Sequence, residues 1–147
     1  MLYAGDTIVG SIAEAFGRFD SWDAAVIEAA PARGDVPNSR YALATYEIAD
    51  GRPVCDLDDA AELQAHGLRP SRVVTRDRRV TQAWATNIYE SRRFAGVSWW
   101  SYYEPDWRSI GIWDLGAVTI TEPPRLLRLG DAAVAEAARA ICRRLIR

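Results

Sequence analysis

"LYAGDTIVGSIAEAF", residues 2–16, predicts a short strand that ends in a turn and is followed by a helix. The helix is expected to begin after Asp6 or Thr7, either of which can act as its N-cap, and to end at Gly17. Its apolar side consists of residues that recur at helical spacing, Ile8, Ile12 and Phe16. The chain therefore opens with a strand–turn–helix unit.

This helix carries one carboxylate, Glu14, on the side away from its apolar residues. Gly10 and Ser11 lie one turn earlier on the same face, where small side chains let a ligand approach the backbone closely. Two interpretations stay open at this point. Glu14 is a solvated surface residue, or Tyr3 and Glu14 line a ligand pocket.

The remaining sequence mixes strands and helices without regular β–α–β alternation. Helices are predicted for residues 21–30, 58–66, 78–93 and 131–147. Strands are predicted for residues 41–49, 53–57, 95–101, 109–115 and 116–121, with an extended segment at 123–127. No internal repeat or linker divides the chain. We therefore expect a single α+β domain over residues 1–147, with a small mixed sheet and surrounding helices.

Some details of these elements follow from individual residues. Ser21 is the expected N-cap of the second helix, and residues 53–57 are the expected partner strand of residues 41–49. The helix over residues 78–93 has one apolar stripe, formed by Val80, Trp84 and Ile88. The last helix is amphipathic, with one apolar face formed by Val134, Ala138, Ile141 and Leu145.

The composition restricts both the partners and the chemistry. A formal charge of −2 argues against bulk electrostatic binding of nucleic acid. All 18 basic residues are arginine, which excludes Walker-type phosphate loops, kinase lysines and Schiff-base catalysis. No apolar run approaches the roughly 20 residues that a membrane span needs, and Cys55 and Cys142 do not form a CxxC motif. We expect a cytoplasmic protein that binds neither nucleic acid nor membrane directly.

The single histidine, His66, precedes a glycine at the end of a helical pattern. This position is typical of a helix C-terminus, where an imidazolium suits the helix dipole. A site with several imidazoles is impossible, and we expect no metal. Catalysis would then depend on carboxylates, hydroxyls, arginines and aromatic rings.

Two further groups of residues can carry chemistry. Five aromatic residues lie between Trp99 and Trp107, in a protein with 10% aromatic residues, and offer either a stacking surface or a packed core. Within this segment, Ser98 and Ser101 are expected on opposite sides of a strand, one with the core and the other away from it. Arginines that can bind a phosphate, or that are simply solvated, are Arg18, Arg40, Arg92 and Arg93.

Taken together, these segments resemble the RES-domain family. "LYAGDTIVGSIAEAF" is similar to the opening of that family, in which a tyrosine-bearing strand precedes an alanine-rich helix with an essential glutamate. "TQAWATNIYE" and "AGVSWWSYYEPDW" resemble the later block of the family, a TQ-x-WA helix followed by a strand that leads to a serine. On this pattern the tyrosine is Tyr3, the glutamate is Glu14 and the serine is Ser101.

The resemblance implies the toxin of a bacterial toxin–antitoxin pair, with a fold similar to that of ADP-ribosyltransferases. Such a toxin degrades NAD by breaking the nicotinamide–ribose bond, with inorganic phosphate or water as acceptor, and needs no cofactor because NAD is the substrate. Its partner is an antitoxin with a helix-turn-helix domain. Glu14 and Ser101 are the expected catalytic residues, and Tyr3, Gly10 and Arg18 are the expected substrate-binding residues.

One feature of the family is missing from the sequence. The arginine that precedes the tyrosine in the family has no counterpart, because only Met1 and Leu2 stand before Tyr3. The native chain then starts further upstream, or this is a truncated relative whose exposed sheet edge favours a homodimer. Two alternative functions follow, a catalytically impaired module that only binds the antitoxin and an ADP-ribosyltransferase that modifies a macromolecule.

Overall fold

Strands and helices follow one another without regular alternation, and the predicted α+β class is confirmed. The structure is a computed structural model that describes residues 1–51 and 53–146. Its helices are α1 (Ile8–Phe16), α2 (Ala24–Ile27), α3 (Ala60–Ala65), α4 (Pro70–Val73), α5 (Arg78–Glu90) and α6 (Ala132–Ala140). Its strands are β1 (Leu2–Gly5), β2 (Ser21–Trp22), β3 (Ala42–Leu43), β4 (Tyr46–Ile48), β5 (Val54–Asp56), β6 (Gly96–Trp100), β7 (Arg108–Ile112), β8 (Val118–Ile120), β9 (Arg125–Leu126) and β10 (Arg144–Leu145).

The chain divides into two compact units. The first unit comprises Met1–Thr7 and Glu47–Thr119, and the second unit comprises Ile8–Tyr46 and Ile120–Arg147. A four-stranded sheet in the order β1-β7-β6-β5 belongs to the first unit. In it β7 pairs antiparallel with β1 and with β6, and β5 pairs parallel with β6. Separate two-stranded ladders join β2 to β10, β3 to β9 and β4 to β8.

Apolar residues of β5, β6 and α5 form the core of the first unit. The buried cluster consists of Cys55, Leu57, Val73, Trp84, Ile88 and Val97. The predicted stripe of α5 is confirmed, since Trp84 and Ile88 are buried and Val80 packs against the cluster. Each large apolar side chain stabilises the fold by roughly 1.5–3 kcal/mol when it is fully buried. This stripe therefore holds α5 against the sheet.

In the second unit, α1 packs against α6. Both helices bury small or apolar residues, namely Gly10, Ile12, Ala13 and Phe16 of α1 and Val134, Ala137 and Ala138 of α6. The Phe16 ring contacts both Trp22 and Tyr41 edge-on, and the indole N–H of Trp22 donates to the Phe16 carbonyl over 3.1 Å. The buried indole thus has its hydrogen bond satisfied.

Three details of the predicted elements are wrong. Ser21 lies in β2 instead of capping a helix, and the N-cap of α2 is Asp23, which accepts a hydrogen bond from the N–H of Val26. Residues 41–49 form two short strands, β3 and β4. Strand β5 pairs with β6 and not with residues 41–49, because its apolar residues join the core beneath α5.

The C-terminal helix is shorter than its apolar pattern predicts. Helix α6 ends at Ala140, and Leu145 lies in β10, which pairs parallel with β2. Cys142 adopts a left-handed conformation with φ of 56°. The N–H of the following Arg143 bonds to the carbonyl of Ala138 over 2.6 Å, which is a Schellman-type helix end. Ile8, expected on the apolar side of α1, is 49% exposed.

None of the helices in the described ranges combines the length and apolar character that crossing a lipid bilayer requires.

Gly96 is required where β6 meets β7. A Cβ atom at this position would lie 2.6 Å from the carbonyl oxygen of Gly111, a distance that real Cβ atoms do not adopt. We expect Gly96→Ala to force the two strands apart and to lower the free energy of unfolding by about 1–3 kcal/mol, as overpacking does in other cores. Urea denaturation followed by tryptophan fluorescence measures the loss. Gly130→Ala is the matched control, since nothing lies within 4 Å of its Cβ position, and equal stability of both variants would contradict the assignment.

Candidate functional site

Tyr3 lies on the edge strand β1 of the first unit and is 65% exposed. Its ring contacts Trp99 edge-on with the ring centroids 6.1 Å apart. Trp99 in turn contacts Trp84 of α5 edge-on at 5.9 Å. Tyr3 is aligned with Gly111 of β7, so that position of β7 carries no side chain beside the ring. The fold thus presents the tyrosine at the surface on a fixed aromatic support.

Ser101 directly follows β6 and is buried, with 3% of its surface exposed. Its backbone N–H donates to the carbonyl of Trp107 over 2.7 Å, and its Oγ accepts a hydrogen bond from the N–H of Tyr103 over 3.1 Å. The expectation that one of Ser98 and Ser101 points away from the core is wrong, because both are buried. Strand β6 ends at Trp100, and the alternation of faces does not extend to the loop residue Ser101.

Glu14 lies on α1 in the second unit and is exposed. The apolar residues on the other side of the helix, Ile12, Ala13 and Phe16, are buried. Gly10, one turn before Glu14, is also buried, so its backbone is not open to the close approach of a ligand that was expected there. Glu14 is therefore on the exposed side of the helix, while its buried neighbours hold the helix in place.

Arg18 follows α1 and is exposed, with its guanidinium carbon 4.6 Å from the centroid of the Phe19 ring. Such a cation–π contact positions the charge near the C-terminal end of α1. Arg18, like Glu14 and Gly10, belongs to the second unit, whereas Tyr3 and Ser101 belong to the first.

Arg92 and Arg93 line a cleft of about 420 Å³ within the first unit, together with Tyr89 and Trp113. The guanidinium of Arg92 lies 6.0 Å from the ring centroid of Tyr89. Two arginines beside two aromatic rings match the chemistry of an anionic ligand with a flat ring. The other two arginines predicted for phosphate binding, Arg18 and Arg40, are exposed residues of the second unit.

A cluster of charged residues in the first unit was not predicted from the sequence. Arg108 of β7 donates from Nη1 to Asp56 Oδ2 over 2.7 Å and from Nη2 to Asp58 Oδ2 over 3.0 Å. Ser98 Oγ donates to Asp56 Oδ1 over 3.1 Å, and the backbone N–H of Arg108 donates to Asp6 Oδ1 over 3.0 Å. The acidic run after β5 is the only sequence signal, since its basic partner is far away along the chain.

The pKa of Asp56 reflects opposing influences. Burial is the largest influence on this pKa and raises it. The hydrogen bonds from Arg108, from the N–H of Asp58 and from Ser98, together with the positive charge of Arg108, outweigh burial and hold the pKa below its ordinary value. Asp56 is therefore an ionised anchor that connects β5 to β7 through Arg108.

The family model described as RES domain matches residues 1–142 of this chain. The chain belongs to the RES-domain family. The matched range of the RES domain contains Tyr3, Glu14 and Ser101. No curated protein and no solved structure matches this RES domain. The similarity to ADP-ribosyltransferases therefore stays a prediction.

The ion pair of Asp56 makes the stability of the RES domain depend on pH. An aspartate whose folded pKa lies below its unfolded value of about 3.9 stabilises the fold above that pH and loses this contribution as the pH falls through the folded pKa. Wild type minus Asp56→Asn should show a difference in unfolding free energy that is largest near neutral pH and shrinks in acid. Chemical denaturation at a series of pH values measures it.

Asp106→Asn removes the same charge from the exposed loop between β6 and β7 and serves as the control. A difference between wild type and Asp56→Asn that stays constant down to pH of about 2 would contradict the role of the ion pair.

Proposed function

We propose that this RES domain is an NAD-degrading toxin that cleaves the nicotinamide–ribose bond, with inorganic phosphate or water as acceptor. The RES-domain family is associated with toxin–antitoxin systems. Tyr3, Glu14 and Ser101 all fall within the range that the family model matches. The observation that carries the proposal is that Tyr3 and Glu14 are exposed on fixed elements and not used to fill a core.

The chemistry is suited to the side chains that this chain offers. When the bond between the anomeric carbon and the nicotinamide nitrogen breaks, its electron pair leaves with nicotinamide and the ribose acquires oxocarbenium character. A phosphate oxygen or a water oxygen then forms the new bond to the anomeric carbon, and water gives up a proton. A carboxylate beside the sugar stabilises the developing positive charge, as in glycoside hydrolysis. In this proposal Glu14 has that role and binds the ribose hydroxyls.

Tyr3 would stack on or position the nicotinamide ring. Its ring is exposed but held edge-on against Trp99, so little side-chain freedom is lost when a ligand binds. Ser101 would hydrogen-bond the nicotinamide ribose or the incoming phosphate. Its backbone N–H donates to the Trp107 carbonyl and its Oγ accepts from the Tyr103 N–H in the loop after β6, which supports a positioning role in catalysis.

The proposed protein partner is an antitoxin with a helix-turn-helix domain. This expectation follows from the association of the RES-domain family with toxin–antitoxin pairs. An antitoxin that blocks substrate access would cover exposed residues such as Tyr3. Suppression of NAD loss by the co-expressed antitoxin would agree with this arrangement.

Replacing Glu14 by Gln is the central test. Loss of one electrostatic group at a developing charge costs about 10²-fold or more in turnover, while an exposed helix position tolerates the change structurally. The purified chain is mixed with NAD and inorganic phosphate, and nicotinamide release is followed by NMR. Wild type should release nicotinamide, and Glu14→Gln should keep its circular dichroism spectrum and lose the release.

The matched control is Glu136→Gln, which changes an exposed glutamate on α6 to the same residue and should leave turnover unchanged. A phosphorylated sugar product indicates phosphorolysis and free ADP-ribose indicates hydrolysis, whereas added mass on a macromolecule supports an ADP-ribosyltransferase. Unchanged turnover in Glu14→Gln, or no release by the wild type, would contradict the proposal.

A further inference from the structure

Three side chains with metal-binding atoms meet within the first unit. They are Cys55 of β5, Glu62 of α3 and His66 at the end of α3. One ligand atom from each residue lies within 4.8 Å of the other two. Cys55 is fully buried, and Glu62 and His66 are partly buried. We call these residues the Cys55–Glu62–His66 cluster.

The helix geometry explains how Glu62 and His66 come to face the same point. They are four residues apart and therefore lie on one face of α3. Helix α3 begins at the N-cap Asp59, whose carboxylate accepts the N–H of Ala61 over 2.8 Å. It ends at Ala65 with His66 as its C-cap, and Gly67 follows in the left-handed conformation with φ of 62°. Both ends of the helix are thus fixed, and so is the backbone of the histidine.

A Schellman-type pair of hydrogen bonds completes this helix end. The N–H of Leu68 donates to the Leu63 carbonyl over 2.9 Å, and the N–H of Gly67 donates to the Gln64 carbonyl over 3.0 Å. The imidazole of His66 then lies edge-on to the Phe94 ring, with centroids 6.2 Å apart. The hydrogen bonds of the helix end therefore fix the backbone of His66, and the contact with Phe94 fixes its ring.

The distances within the cluster are close to those of a tetrahedral metal site. Cys55 Sγ lies 3.8 Å from Glu62 Oε2, and His66 Nε2 lies 3.5 Å from the same oxygen. With Zn–S near 2.3 Å and Zn–N and Zn–O near 2.0–2.1 Å, tetrahedral ligand pairs are separated by about 3.5 Å for sulfur–oxygen and about 3.3 Å for nitrogen–oxygen. The two measured distances are within a few tenths of an ångström of these values, and the ligand atoms of Cys55 and His66 lie within 4.8 Å of each other.

Protein contacts alone do not satisfy the cluster. His66 Nε2 is buried, and within the described residues it has no hydrogen-bond partner despite its proximity to Glu62. Buried polar atoms in native proteins almost always have a partner. A thiolate and a carboxylate would together balance the charge of a divalent cation, and a neutral imidazole would complete a three-ligand set.

We propose that Cys55, Glu62 and His66 bind one divalent transition-metal ion of the zinc and cobalt type, with water in the fourth position. Sulfur and imidazole ligands select this class over magnesium and calcium, which prefer oxygen. The metal connects β5 to α3 within the first unit. This proposal departs from the expectation of no metal, and it shares no residue with the proposed NAD chemistry.

In the absence of metal, the Cys55 thiol keeps its proton. Burial, reinforced by the nearby Glu62 carboxylate, raises the pKa of Cys55 to about 12, so this cysteine is not a nucleophile at neutral pH. A coordinated metal replaces the thiol proton directly. Thiolate ligation is therefore a spectroscopic signature that distinguishes metal binding from the simple hydrogen-bonded cluster.

The test uses Co²⁺ as an optical probe on the full chain after treatment with a chelator and a thiol reductant. Wild type should bind one Co²⁺ per chain, with a thiolate-to-cobalt charge-transfer band and tetrahedral ligand-field bands, and Zn²⁺ should remove both. Glu62→Gln and His66→Gln should each weaken binding at least about tenfold, since even loss of an outer partner of a metal ligand costs that much.

Cys142→Ser is the matched control because Cys142 is the exposed free cysteine and is not part of the cluster. It should keep the full spectrum, and Cys55→Ser should lose the charge-transfer band. Since Cys55 is fully buried, the Glu62 and His66 variants keep the test decisive if Cys55→Ser does not fold. Addition of Zn²⁺ should also raise the thermal midpoint of wild type and Cys142→Ser but not that of His66→Gln.

Folded wild type that gives no charge-transfer band would overturn the proposal. So would a band that survives in both Glu62→Gln and His66→Gln but disappears in Cys142→Ser, because the metal would then be bound at the exposed thiol. Neither result bears on NAD turnover. Failure of the metal proposal can therefore be distinguished from failure of the proposed function.

Discussion

The register of β5 against β6 is the constraint on which the first unit depends. Cys55 is aligned with Val97 and Asp56 with Ser98, and consecutive residues of a strand point to opposite faces. Cys55 thus enters the core and the Cys55–Glu62–His66 cluster, while Asp56 reaches Ser98 and Arg108. A slip by one residue would exchange these faces, exposing the cysteine and burying the aspartate. On the other side of β6, the absence of a Cβ atom at Gly96 lets β6 approach β7 closely.

Two of the residues proposed for function, Tyr3 and Glu14, are exposed, unlike the buried residues of β5 and β6. Tyr3 is on an edge strand and Glu14 is on the outer face of α1, so neither contributes a buried side chain to a core. The residues that support them contribute to stability instead. They are Trp99, which contacts the Tyr3 ring, and the buried face of α1. In this arrangement the proposed functional side chains stay exposed, and the burial of neighbouring apolar residues offsets the conformational entropy that is lost when these side chains are ordered. Ser101, in contrast, is buried.

Elements with strong local signals could be predicted from the sequence. The α1 pattern, the Val80–Trp84–Ile88 stripe of α5 and the two strands around the aromatic loop correspond to observed elements. The predictions failed where a distant partner decides the structure. Ser21 lies in β2 because it pairs with Arg144 of β10. Helix α6 ends at Ala140, and the left-handed residue that follows is Cys142 and not a glycine, so the sequence does not mark this helix end.

By itself, the sequence determined the α+β class, the RES-domain family and the candidates Tyr3, Glu14 and Ser101, because local periodicity and short motifs are properties of neighbouring residues. It also determined that lysine chemistry is impossible. Only the tertiary structure decided that Asp56 and Arg108 form an ion pair and that Cys55 meets Glu62 and His66. Strand pairing brings together residues that are far apart along the chain, and its register depends on packing that no local pattern specifies.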